Sequence, residues 1–179
     1  MTRKSKIIAV IVALVAILGI GSTLVFSNSK DSVKGRGEFI KVKHQDVVNI
    51  KKNKETKFVY SYGKEVEKRE QDRLKLYETQ MKDVMEDLGV NINAYERLVW
   101  GYSNEATVMV DVNSDEKIEG VALQATKMFQ GGNSIKFFYK GNEVGEIKFD
   151  QSDTTNKGLQ SFQKEFEDFV KDMKKNYDI

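Results

Sequence analysis

Apolar and polar residues alternate over 39–43 (FIKVK), which puts Ile40 and Val42 on one face and predicts a strand. Residues 44–53 (HQDVVNIKKN) predict a short helix, because Asp46 near the start and Lys51 and Lys52 near the end match the helix dipole. Residues 57–62 (KFVYSY) are β-branched and aromatic and predict a second strand, which Gly63 ends. Over 65–88 the residues Leu74, Tyr77, Met81, Val84, Met85 and Leu88 fall on one helical face, and Gly89 supplies the stop. Residues 91–106 follow no clear period and read as an insert carrying Tyr95, Leu98, Val99, Trp100 and Tyr102. A third strand is predicted at 107–112 and a helix at 118–128. Residues 134–139 and 143–150 then form a hairpin across Lys140, Gly141 and Asn142. A closing helix at 159–175 lines up Leu159, Phe162, Phe166, Phe169, Val170 and Met173.

Strands separated by helices, followed by a hairpin, predict an α/β domain with a mixed, mainly parallel sheet and a C-terminal hairpin plus helix. Ahead of it, residues 7–26 (IIAVIVALVAILGIGSTLVF) carry no charge. Twenty such residues predict an N-terminal transmembrane helix about 30 Å long. The run is longer than the apolar core of a secretory signal and no A-x-A site follows it, so an uncleaved signal-anchor is expected. Arg3, Lys4 and Lys6 precede the run, and Lys30, Lys34 and Arg36 follow it. The first group lies closer, on a short tail, which predicts a cytoplasmic amino terminus and an extracytoplasmic body. The expected organisation is a basic tail at 1–6, a single-pass anchor at 7–26, a linker at 27–37 (SNSKDSVKGRG) and the α/β domain at 38–179.

Composition acts mainly by exclusion. A formal net charge of +2, with mixed charges making up 31% of the chain, argues against a nucleic-acid partner. The absence of cysteine removes disulfides, thiolate chemistry and thiolate-bound metals. The absence of proline removes a proline-rich stalk and any cis-proline turn.

The stretches FIKVK, DVVNIKKNKETKFVYSYG, TVMVDVNSDEKIEG and SIKFFYKGNEVGEI, closed by LQSFQKEFEDFV, resemble in their arrangement a thioredoxin-like domain over residues 39–173. The resemblance includes the small membrane-associated or exported members of that family. The family's Cys-x-x-Cys pair would fall at Gly63, Lys64, Glu65, Val66 and Glu67, and its cis-proline near Asn133 or Ser134. Neither sulfur nor proline is there. Thiol exchange needs a thiolate, so the resemblance implies the fold without the redox activity, and it transfers no catalytic residue.

Other chemistry is equally sparse. His44 is the only histidine and no nucleophile motif surrounds it, so it reads as a surface residue at a strand-to-helix corner. The glycines build no phosphate-cradling loop. Asp111, Asn113, Asp115 and Glu119 match four positions of a calcium loop, but Glu116 stands where that loop needs glycine and Ala122 where it needs a bidentate glutamate. No catalytic, metal or cofactor-binding residue is therefore assigned. Tyr95, Arg97, Trp100 and Tyr102 cluster within eight residues and are of the types that dominate binding hot spots, so they form the candidate interaction patch. Lys51, Lys52, Lys54 and Lys57 read as a solvated face or as one meeting anionic surfaces beside a membrane. The expected protein is a membrane-anchored, non-catalytic binding or accessory module of a cell-envelope assembly of the secretion, conjugation or bacteriocin-related kind. Its expected partners are the membrane and an envelope protein. The alternative is a membrane-anchored hydrolase, which would show two acids of raised pKa in one pocket.

Overall fold

A computed structural model describes residues 33–64, 67–103 and 108–179. In chain order these form β1 (Phe39–Val42), α1 (His44–Asn53), β2 (Lys57–Gly63), α2 (Lys68–Leu88), β3 (Ile92–Arg97), β4 (Trp100–Tyr102), β5 (Met109–Asp111), α3 (Gly120–Met128), β6 (Asn133–Tyr139), β7 (Asn142–Phe149) and α4 (Asn156–Tyr177). Five strands make one sheet in the order β1-β3-β2-β6-β7. The first three are parallel, and Phe39 and Phe58 both sit opposite Ile92. Strand β6 runs antiparallel to β2, and β7 antiparallel to β6. Strands β4 and β5 form a separate two-stranded ribbon.

Each face of the sheet carries a pair of helices. Residues of α2 and α4 pack with Phe58, Tyr60, Ile92, Ile135 and Phe137 on one face. Residues of α1 and α3 pack with Val59, Tyr95 and Phe138 on the other. The apolar stripes fix the two long helices: Leu74, Tyr77, Met81, Val84 and Met85 are buried from α2, and Phe162, Phe166 and Val170 from α4. Gly89 ends α2 in the left-handed conformation. Gly145 lets α4 lie close, since a Cβ there would stand 2.9 Å from Phe169 Cε2.

Roughly half the residues of α2 and α4 are charged. No helix among the described residues is long and apolar enough to cross a membrane. This corrects the expected fold: the described residues form a mixed α/β domain with four helices, none of them a transmembrane helix. The tail at 1–6 and the run at 7–26 that was expected to be a single-pass anchor lie outside the described residues, as does most of the linker.

Two further expectations change. The stretch read as an irregular insert contains β3, the strand between β1 and β2, with Ile92 and Tyr95 fully buried. The stretch read as the third strand of the sheet supplies β5 of the ribbon instead. Residues 33–38 pack onto the folded body. Val33 is buried, Asn91 N donates to its carbonyl at 2.8 Å, and Gly35 N donates to Gly89 O at 3.0 Å. Asn91 Oδ1 then accepts from Arg36 N at 3.0 Å and Glu38 N at 2.9 Å, which clamps residues 33–38 as a strap. Gly35 is required there, because a Cβ would meet Asn91 Cγ at 1.9 Å.

Candidate functional site

In parallel sheets the carboxyl ends of the strands are where ligands are usually taken up. Here that end is formed by Gly63 of β2, Arg97 of β3, the start of β6 and the end of β7. It is also the corner where the thioredoxin-like resemblance would put its thiols, although Glu65 and Val66 lie outside the described residues. A chain of amides closes it. Asn133 Oδ1 accepts from Gly63 N at 3.2 Å, and Asn133 Nδ2 donates to Gln151 Oε1 at 2.6 Å. Gln151 Nε2 donates to Glu70 Oε2 at 3.2 Å, and Arg73 donates to Glu70 Oε1 at 2.8 Å. Asn133 and Gln151 are both buried. Neutral amides at hydrogen-bonding distance hold the loops together but offer neither nucleophile nor base.

Beside this corner stands the ribbon. Ser103 N donates to Val108 O and Val112 N to Val99 O, extending the pairing of Trp100 with Asp111 and Tyr102 with Met109. Alternation along β4 puts Trp100 and Tyr102 on one face, their rings edge to face at 5.5 Å between centroids. Tyr102 is 61% exposed and Val112 51% exposed. Gly101 makes room for Val112, whose Cγ1 lies 3.1 Å from where a Cβ would be. Asn113 Nδ2 donates to Lys64 O at 3.3 Å, which ties the ribbon to the loop after β2.

The structure divides the aromatic patch expected from sequence. Trp100 and Tyr102 are on the ribbon, and Arg97 ends β3 half-buried, with its carbonyl accepting from Lys64 N. Tyr95 is not on the surface at all. It is fully buried against Phe129, at 5.5 Å between ring centroids, and burial pushes its hydroxyl pKa up to about 12. His44 lies beside it rather than out in solvent: its Nδ1 is 2.8 Å from Tyr95 Oη, and the two rings meet edge on. Val112, which sequence reading did not single out, belongs with Tyr102 as an exposed apolar residue. Its signal is an apolar side chain following Asp111 in a strand too short to bury both faces.

The calcium-like stretch is a turn. Asp111 Oδ1 accepts from Asn113 N at 3.2 Å and its Oδ2 accepts from Ser114 Oγ at 3.2 Å, while Asp115 takes a left-handed conformation. Lys117 pairs with Glu119. Among the described residues no cluster of His, Asp or Glu is arranged to hold a metal ion.

Nor do two raised acids share a pocket among the described residues. Glu78 is pushed above its ordinary 4.5 by burial, against a weaker opposing pull from the Tyr60 hydroxyl at 3.4 Å. It lines neither of two open hollows on the surface. One, of about 530 Å³, is an open groove between the start of α2 and Thr154. The other, of about 410 Å³, includes Asp150, Asp153 and Glu165. There Asp153 is held below the ordinary carboxylate range by the hydroxyl and N–H of Thr155, the reverse of what a general acid needs.

Because its folded-state pKa is raised, Glu78 contributes most to stability when protonated. That contribution is complete below about pH 4.5 and is lost as pH rises through the folded-state value. Glu78→Gln is therefore expected to melt higher than the wild type at neutral pH and to converge with it in acid. Thermal melts at a series of pH values check this, and a variant that melts lower at neutral pH would sink it.

Fold and site together define a class: a mixed-sheet α/β domain whose strand ends are closed by amides and flanked by an apolar ribbon. Comparison with protein-family models and with curated proteins found no match to this chain.

Proposed function

We propose that this protein is a non-catalytic binding module, redox-inactive and thioredoxin-like in fold, that serves as an accessory part of a cell-envelope assembly and meets a protein partner through the β4–β5 ribbon. The observation that carries this reading is the ribbon itself. Two short strands are not stable alone and gain little by exposing Tyr102 on one face and Val112 on the other. An aromatic pair beside a polar rim is what a partner surface uses as an anchor. The amide-closed corner supports the absence of chemistry, and the strand order β1-β3-β2-β6-β7 supports the thioredoxin-like reading. The envelope location is carried by the sequence, through residues 7–26.

The test places a photocrosslinking amino acid at Tyr102 of the full chain in its native membrane, with Lys164 on α4 as the control position. A discrete adduct is expected from Tyr102 only. Excess wild-type chain should compete it away, and a chain bearing Trp100→Ala and Tyr102→Ala should compete about tenfold less well, since an anchor is worth at least 1–2 kcal/mol. Equal adducts from both positions, or equal competition by both chains, would rule the ribbon out.

A further inference from the structure

At the opposite end of the sheet, where the parallel strands begin, the fold gathers cations that are scattered in the sequence. The turn of the β6–β7 hairpin is seated on the end of α1: Gly141 N donates to Glu55 O at 2.8 Å, and Lys140 N donates to Thr56 Oγ1 at 3.1 Å. The end of α4 joins them through Tyr177, 4.7 Å from Tyr139 between ring centroids. Lys174 Nζ donates to Leu88 O at 2.6 Å, which links α4 to the end of α2 and so to the strap. Lys34, Arg36, Lys51, Lys52, Lys54, Lys140 and Lys175 are thereby brought to one end, all exposed.

From Val33 onward the chain has 25 Lys and Arg against 26 Asp and Glu, so this is segregation of charge and not general basicity. Of the acids near the same end, Glu55 is paired with Lys57, Glu86 with Lys82 and Glu143 with Lys136, and Glu38, Asp87 and Asp178 stand among the cations as well. Helix dipoles account for Lys51, Lys52, Lys174 and Lys175, which stand in the last turns of α1 and α4. Lys54, which caps the end of α1, shares that dipole, whereas Lys140 in the hairpin turn has none to answer. These two have φ of 53° and 49°, a left-handed backbone that glycine or asparagine adopts with less strain. A lysine at each of two such positions, in contacting loops at one end, points to a use for the charge.

We infer that this end is a docking surface for anionic lipid headgroups, so that the domain stands with the starts of its parallel strands toward a membrane and the ribbon away from it. The occupant is a lipid surface because the cations are spread over four segments with no enclosing pocket, which suits a sheet of phosphates better than one anion. The 32 residues that precede Val33, with their uncharged run at 7–26, join the domain at this same end. The inference is independent of the ribbon, which lies at the far end.

The test uses the full chain with vesicles of phosphatidylcholine alone or mixed with phosphatidylglycerol, and follows acetylation of each lysine by mass spectrometry. On the mixed vesicles Lys51, Lys52, Lys54 and Lys140 are expected to react about threefold or more slowly than on phosphatidylcholine, and high salt should abolish the difference. Lys75, Lys127 and Lys164 should react alike on both. The double variant Lys54→Gly, Lys140→Gly should melt no lower than wild type, since it relieves both left-handed residues, yet lose most of the protection at Lys51 and Lys52. Equal reactivity on the two vesicles would overturn the inference. So would full protection in the glycine variant, or the same protection from soluble glycerol phosphate on phosphatidylcholine, which would mark a small-anion site instead.

Discussion

Phe166→Ala is expected to lower the free energy of unfolding by about 3–5 kcal/mol, the usual cost of truncating a fully buried phenylalanine. Phe166 is completely buried on the inner stripe of α4, in the cluster that holds Leu74, Met81 and Met85 of α2. Its ring lies parallel to that of Phe162, at 6.2 Å between centroids. The neighbours are themselves locked by the sheet, so the gap would fill only in part. The chain has no cysteine, so no disulfide shares the load. Urea denaturation measures the effect, as a lower midpoint with an unchanged slope. A loss below about 1 kcal/mol would mean that α4 is not seated on α2.

Tyr95→Ala is expected to cost a similar amount, about 3–5 kcal/mol, while Tyr102→Ala is expected to change stability by no more than about 0.5 kcal/mol. The two tyrosines are seven residues apart in a stretch that looks like a single aromatic cluster. Tyr95 is enclosed by Phe129 and by His44, whose ring nitrogen shares a hydrogen bond with its hydroxyl, whereas Tyr102 is 61% exposed. Removing Tyr95 opens a cavity and leaves His44 without that partner. Denaturation of the two variants side by side separates core from surface, and equal costs would refute the division.

How far the fold could be read from sequence depended on whether a segment has one buried face. Helices α2 and α4 do, and their stripes through Leu74–Tyr77–Met81 and Phe162–Phe166–Val170 announced them. The β6–β7 hairpin was equally legible, because Lys140–Gly141 sits between two apolar runs. Strand β3 has side chains covered on both sides: Ile92 and Ala94 face α2 and α4, while Asn93 and Tyr95 face α1 and α3. A strand covered on both faces loses its alternation, so a central element looked like an irregular insert. Polar Asn93, whose Nδ2 donates to Phe58 O at 3.2 Å, deepened the disguise.

Exposure within the aromatic stretch was half legible for a related reason. Residue type says that tyrosine and tryptophan anchor interfaces, but only the sheet register decides which of Tyr95 and Tyr102 meets water. The amide chain from Gly63 to Arg73 left no trace at all in sequence. Its members lie up to 88 residues apart along the chain, from Gly63 to Gln151, and share no spacing rule.

The strap also determines how the domain bears force. Chain entering at Val33 runs directly into β1, and chain leaving β3 at Arg97 runs directly into the ribbon. These strands are parallel neighbours held by four registered pairs from Phe39–Ile92 to Val42–Tyr95. A pull between the start of β1 and the end of β3 therefore drives the two strands past one another along their length. All four pairs resist together, and none can peel before the rest. The arrangement is that of a mechanical coupling loaded in shear.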